Sequence, residues 1–509
     1  MLSSNNSLKK RYSIKLLANV VSVFASAIVM LFIPRALGPA AYGNFKFLTQ
    51  YFEKVINFFN LGADTAFFTK LSQNNNEKKL IGFYSIIALL ILLCLFGFVF
   101  IIDILGLADI FWPDQKMKYV YLALLFSVLI WLSNTAFNIM DAFALTLYSE
   151  ILRILQKIIL VILIPILFLL ATLNITNYFY LNIGLFMALI IVLFTQIRHK
   201  ILLKDVQWQI NKTDFKKYIA SFYIYCNPLF LHSLAAFSIG IIELWLLQRF
   251  AGSKQFGYYG LSFQIGVVCF MFTTAMTPLL IREFAKSFKE EDYLRMRLLF
   301  TKFLPIFYTI SSYFAIFVMI QAENVTKIFG GGQFKDAVIA VVLMSFYSIH
   351  RTYGQLSGSI FISTDRTKLF RNIGVFYMFI GLILTYLLVA PKHLGGISLG
   401  AIGLSIKMVV INVLLTNTQL IYNAKFLSVK YLPFLIHQIL VVTLFSIIAF
   451  LATALVNTVS TAPFFIFIIS GIIYSLIISV TIYMNPSIIK MNKKEIKGFI
   501  KLGKNFIKL

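Results

Sequence analysis

Lys46, Gln50, Glu53, Asn57, Asn60 and Asp64 recur at spacings of four, three, four, three and four in an otherwise apolar stretch. At 100° per residue they fall within an arc of about 80° on a helix, a single polar stripe. One base, two acids and three carboxamides on one face can hold an ion, pass a proton or hydrogen-bond a polar ligand. Against lipid such a face is costly, so the pattern predicts that it lines a wet cavity or a seam between helices. The competing reading is interhelical hydrogen bonding as packing, which rarely needs both an acid and a base.

Other stretches carry related patterns. Ser127, Trp131, Asn134, Asn138 and Asp141 mark one face of a later apolar run, and Ser348, Arg351, Gln355 and Ser359 mark another. His232 and Glu243, eleven residues apart, fall within about 20° of one face, and Asn19, Ser22 and Ser26 share a face near the N-terminus. Lys407 stands among Gly400, Gly403 and apolar residues. The carboxylates Asp64, Asp141 and Glu243 suit ion or proton exchange, unless Arg351 or Lys407 locks Asp141 or Glu243 into an ion pair. Arg35 and Arg249 end apolar runs, where an arginine either meets an anionic ligand or snorkels to lipid headgroups. Glu53 and Lys54 are neighbours, 100° apart on a helix, so their roles differ. His232, His350 and His437 are too dispersed in the chain to suggest a metal site, and no cofactor is expected. Cys94, Cys226 and Cys269 all lie in apolar runs and read as small apolar residues.

The elements that must position these groups follow from composition. Of 509 residues 60% are apolar and 13% charged, and mean hydropathy is +0.87, which places the chain in a bilayer. The net charge of +26 is spread over short connections, so it reads as membrane topology rather than nucleic-acid binding. Apolar runs at residues 16–34, 45–68, 80–102, 119–143, 152–172, 177–197 and 218–248, then 255–281, 298–320, 337–362, 372–390, 395–416, 432–456 and 463–484, predict fourteen helices in an all-α polytopic membrane protein. With the N-terminus inside, the inner connections hold 33 Lys and Arg and the outer ones nine, with Lys54, Arg351 and Lys407 inside spans. That split predicts both termini in the cytoplasm. The first run is too long for a secretory signal, since the small-residue pattern at Ala25 to Ala27 would fall in mid-membrane. No GxxxxGK[ST] pattern or long loop leaves room for a nucleotide-driven motor. The tail carries Lys494, Lys497, Lys501, Lys504 and Lys508 on one helical face, as an amphipathic helix on anionic lipid would.

PRALGPAAYGNF at residues 34–45 has a degenerate copy, QRFAGSKQFGYY, at residues 248–259. A shift of 214 aligns Arg35 with Arg249, Gly38 with Gly252, Tyr42 with Phe256, Gly43 with Gly257 and Gln50 with Gln264. The repeat predicts an N-terminal lobe over residues 1–200, a C-terminal lobe over 201–424, two extra helices over 425–484 and a basic tail over 485–509. Each lobe holds six helices, an even number, so the axis relating the lobes runs along the membrane normal.

A first helix ending in IPRALGPAAYGNF, within fourteen helices joined by basic inner loops, resembles the polysaccharide-transporter branch of the superfamily that includes multidrug extruders and lipid-linked oligosaccharide flippases. Wzx-type O-antigen flippases are the nearest type. The resemblance implies two lobes rocking around a cationic cavity in the bacterial inner membrane, and an undecaprenyl-diphosphate-linked oligosaccharide moved from inner to outer leaflet. Glycan polymerase and chain-length proteins would be partners, and nucleic acid would not. Arg35, Arg249, Arg351 and Lys407 would then meet the diphosphate, and Gln50, Asn57, Trp131, Asn134, Asn138 and Gln355 the glycan. Asp64, Asp141 and Glu243 would couple transport to H⁺ or Na⁺. The deep cations are few for such a cavity, and Asp64, Asp141 and Glu243 share its space. A multidrug or cation antiporter of the same fold is the first alternative, and a polytopic enzyme of glycan assembly the second.

Overall fold

The computed structural model describes residues 8–60, 63–73, 79–143, 145–199 and 211–490. The tail lysines from Lys493 onward lie outside the described residues, as do the side chains of Asn19 and His232. The described residues are helices joined by short connections and include no strand, an all-α polytopic membrane fold. Among the described residues twelve helices are long and apolar enough to cross a membrane.

The first helix, α1 (Leu8–Asn60), runs through the stretch that its sequence marks as a turn. Its only break is at Gly38, with φ 72° and ψ 169°. A positive φ of this kind is cheap only for glycine. Pro39 follows directly, at the first position of the second half, where the missing N–H costs nothing. Pro34, where the apolar run stops, does not end the helix. The second expected span, to residue 68, covers α1 up to Asn60 and the start of α2 (Ala63–Gln73), and residues 61 and 62 between them lie outside the described residues.

In Met1–Gly257, one of two compact units, the succession is α3 (Lys79–Ile104), the short α4 (Ala108–Phe111), α5 (Met117–Ala142), α6 (Thr146–Leu169) and α7 (Ile175–Ile197). It ends in the first part of α8 (Lys212–Lys289). α1 packs on α5 and α6, and α5 on α7. Phe67, Phe83 and Phe222 bring α2, α3 and the start of α8 into one core, with Phe83 5.3 Å from Phe222, edge to face. Leu89, Leu90 and Leu93 on α3 stay exposed, as a lipid-facing surface requires.

The second unit, Tyr258–Leu509, holds the rest of α8, then α9 (Tyr293–Ile320), α10 (Ala322–Gly330) and α11 (Val338–Ser363). α12 (Thr367–Val389), α13 (Gly400–Phe426), α14 (Leu432–Asn457) and α15 (Pro463–Met484) complete it. α11 packs against α9 and α13, and α14 against α9 and α15, around buried Tyr308, Tyr353, Phe445 and Tyr474.

The repeat is visible in the backbone. α8 breaks at Gly252 with φ 76° and ψ 174°, the same conformation as Gly38 at an offset of 214. Ala108 and Ala322, which open α4 and α10, keep that offset. After α10 the register slips: α5 and α11 start at Met117 and Val338.

Candidate functional site

The two broken helices present equivalent arginines. Arg35 and Arg249 each stand three residues before the break, and both side chains are exposed. Just beyond the breaks the two copies meet. A Cβ on Gly43 would lie 1.8 Å from the carbonyl oxygen of Ser253, and a Cβ on Gly257 would lie 2.0 Å from that of Pro39. Residues 39 and 253 are repeat equivalents, so each copy's carbonyl fills the space left by the other copy's glycine. Phe47 and Phe256 continue the contact at 5.3 Å, edge to face.

The connection between α3 and α5 covers this junction. Gln115 Nε2 donates to Asn44 Oδ1 at 2.8 Å, Gln248 Nε2 donates to Ser253 Oγ at 2.8 Å, and Trp245 Nε1 donates to the Ile110 carbonyl at 2.6 Å. Trp112 is fully buried, 6.0 Å from both Tyr51 and Phe52. Farther along α1, Phe58 stacks on Phe237 at 4.2 Å, and Lys54 Nζ lies 2.7 Å from where a Gly240 Cβ would stand. Sequence reasoning set Lys54 aside from the stripe; the structure lays it along α8, three residues from half-buried Glu243.

The α1 stripe divides by burial. Lys46 and Gln50 are half-buried, Lys46 lying 5.5 Å over the Tyr42 ring, whereas Glu53 and Asn57 are exposed. Asn60 is buried, and its Oδ1 accepts from the Tyr84 hydroxyl at 3.3 Å and from the Asp64 backbone N–H at 3.2 Å. Half-buried Asp64 stands in the first turn of α2. Buried Trp131 stands with Thr135 beside Tyr84, so α1, α3 and α5 share one polar cluster. On the same α5 face Asn134 is exposed, while Asn138 and Asp141 are half-buried.

In the second unit the four residues of the α11 stripe separate. Ser348 is fully buried and donates to the Gly266 carbonyl at 2.7 Å, and Ser359 is buried too. These two serines are packing groups. Arg351 is exposed and Gln355 half-buried. Lys407 is 7% exposed, with its Cε 2.8 Å from where a Gly381 Cβ would stand, so the glycine makes its slot against α12.

Three groups in this unit escape sequence reasoning. Arg366, at the start of α12, sits between the rings of Phe426 and Phe361, at 3.9 Å and 4.7 Å, and donates to Asn423 Oδ1. Burial pulls its pKa down to about 10. His350 and His437, expected to be dispersed, both meet fully buried Tyr308, with ring centroids 5.9 Å and 6.0 Å away. They are 87 residues apart in the chain, so no local spacing announces them. Among the described residues no group of three or more metal-ligating side chains forms.

Against this geometry the comparisons with known proteins are consistent. The family model described as polysaccharide biosynthesis protein matches residues 8–282, more than half of the chain, and the chain belongs to that family. No curated protein sequence matches it. A solved structure of the lipid II flippase MurJ, in an inward closed conformation, is similar with a TM-score of 0.64 at 14% identity, over 92% of this chain and 99% of that one. An inward-facing multidrug resistance MATE family transporter of the MOP superfamily gives 0.59 at 14% identity, over 80% and 94%. An outward-facing structure of the same family gives 0.52 at 14%, over 82% and 94%. At these identities the likeness is one of fold.

Proposed function

We propose that this protein is a flippase of a bacterial inner membrane, moving an undecaprenyl-diphosphate-linked oligosaccharide from inner to outer leaflet by ion-coupled alternating access. The observation that carries the reading is the membership of a polysaccharide biosynthesis family by a chain built on two glycine-broken helices, each presenting an exposed arginine three residues before its break. Counting each broken helix as two spans turns twelve crossings into fourteen, with both termini cytoplasmic by the distribution of Lys and Arg. A diphosphate needs cations that water and ligand can reach, and Arg35, Arg249 and Arg351 are exposed. Lys407 would need α12 to move before a ligand touched it. Gln50, Asn57, Asn134, Asn138 and Gln355 supply hydrogen bonds for sugar hydroxyls, and Trp131 an apolar face. Asp64, Asp141 and Glu243, all half-buried, are the carboxylates for coupling.

The test is transport in proteoliposomes holding a fluorescent undecaprenyl-diphosphate glycan, scored by its access to an external quencher. Loss of signal from the initially protected leaflet, dependent on the protein, is expected. The same vesicles loaded with an organic-cation dye decide for the antiporter, which the half-buried acids Asp64, Asp141 and Glu243 favour: dye export with no movement of the glycan lipid would overturn the flippase reading.

A further inference from the structure

We propose that Arg153 and Lys157, on α6 of the first unit, form an inner station at which the substrate's diphosphate is held before it crosses. This deepens the reading above, on which it rests, by locating a site for the anionic headgroup that the sequence did not mark.

The distribution of Lys and Arg counts both cations among the inner connections, yet α6 begins at Thr146. Arg153 therefore stands about 10 Å and Lys157 about 16 Å along the helix, the latter near the middle of its 24 residues. Ile151, Leu155, Ile158, Ile162 and Ile166 are exposed and form the lipid-facing side of α6. At 100° per residue Arg153 and Lys157 lie about 180° and about 140° from the centre of that side. A snorkelling cation runs along lipid toward the headgroups, and these two start from the opposite face. The 28% of the Arg153 side chain that stays exposed thus opens on the protein side of α6, where α1 and α5 pack.

Arg153 is held on two sides. Its Nη1 donates to fully buried Glu150 at 3.3 Å, and its guanidinium lies 4.4 Å over the Phe137 ring of α5. Lys157 is half-buried, and among the described residues it makes no hydrogen bond or ion pair. The charge that bears on it is Arg153, one turn away and of the same sign. Like charges at that spacing repel on any helix, and an ammonium without a partner at membrane depth is costly. The architecture does not require the pair. α6 and α12 open at Thr146 and Thr367, an offset of 221 that α5 and α11 share, and the α12 equivalents of Arg153 and Lys157 are Gly374 and Met378. What the pair suits is an anion with several oxygens, since a diphosphate can accept from the remaining guanidinium N–H groups and from the ammonium together. Phe32 lies 5.3 Å from Phe168, so the outer ends of α6 and of the first half of α1 are level. In the proposed orientation both run outward, which sets Arg35 about 20 Å above Lys157. A diphosphate loaded from the inner leaflet thus meets Arg153 and Lys157 first and Arg35 last.

The test measures binding and needs no transport. Full-length protein in phosphatidylcholine nanodiscs is titrated with radiolabelled undecaprenyl diphosphate, with undecaprenol as the uncharged control. Lys157→Met keeps the length of the side chain and removes its charge. It should weaken binding by about tenfold or more at unchanged or higher melting temperature, whereas Lys157→Arg should keep most of it. Arg153→Gln should weaken binding similarly, and the double variant Glu150→Gln/Arg153→Gln gives the same reading if a stranded Glu150 unfolds the single one. A Lys157→Met protein that binds undecaprenyl diphosphate as tightly as wild type overturns the site. So does loss of the label when phosphatidylglycerol replaces phosphatidylcholine, which would make the pair a contact for ordinary lipid headgroups. The flippase reading fails separately: a protein that binds the diphosphate through Lys157 and moves no glycan lipid in proteoliposomes keeps the site and loses that function.

Discussion

Arg351 and Lys407 look alike in the sequence, each an isolated cation in an apolar run, and they end in opposite settings. Arg351 is exposed on α11, whereas Lys407 is buried in a slot that Gly381 opens. Their variants should therefore fail differently. Arg351→Gln is expected to lower flipping of the glycan lipid at unchanged melting temperature, with Arg351→Lys retaining part of it, and flipping rates beside thermal unfolding in detergent check this. Gly381→Ala is expected to cost about 1 to 3 kcal/mol by overpacking against Lys407 Cε. A Lys407→Ala background should absorb most of that cost, a coupling that a double-mutant cycle measures. The sequence distinguished polar from apolar faces but not which neighbour each polar group meets. Ser348 and Arg351 shared one predicted stripe, yet one bonds a carbonyl of α8 and the other is exposed. The histidines at Tyr308 were illegible for a related reason: they come from α11 and α14, and only the packing of both on α9 unites them.

Helices were the most legible level, because a bilayer demands long apolar runs with every backbone group bonded internally. The predicted spans from α3 onward coincide with the observed helices to within several residues, apart from the two merged in α8 and from α13, which runs ten residues past its expected end at residue 416, whereas α1 and α8 overran their expected turns. Hydropathy marks where a chain leaves apolar surroundings, and a helix can continue there with one residue out of line. Gly38 and Gly252 are those residues, and replacing either by alanine forces a side chain into a positive-φ, extended-ψ backbone that is essentially glycine's alone, at about 1 to 3 kcal/mol. Gly43→Ala and Gly257→Ala should cost more, since a backbone oxygen occupies the place of the new methyl group. Melting temperatures of the four single variants rank them, and a smaller loss at residue 43 than at residue 38 would contradict the reciprocal contact.

For the molecule as a whole the firmest expectation is orientation. In a background with Cys94, Cys226 and Cys269 replaced by alanine, Lys430→Cys, exposed between α13 and α14, should react with a membrane-impermeant maleimide only after permeabilisation. Lys335→Cys, exposed between α10 and α11, should react in intact cells, and the opposite pattern would reverse the assignment. The duplicated architecture was legible from one dodecapeptide because that segment is where the copies touch. Carbonyls 39 and 253 lie in the hollows of glycines 257 and 43, so a substitution drifting into either copy there is judged by the other. Elsewhere the copies differ: the positions equivalent to Phe237 and Lys54 hold Val23 and Val268, which keep neither the ring nor the charge. The two glycines thus act as a mutual lock, in which a methyl group added to either copy displaces a carbonyl of the other.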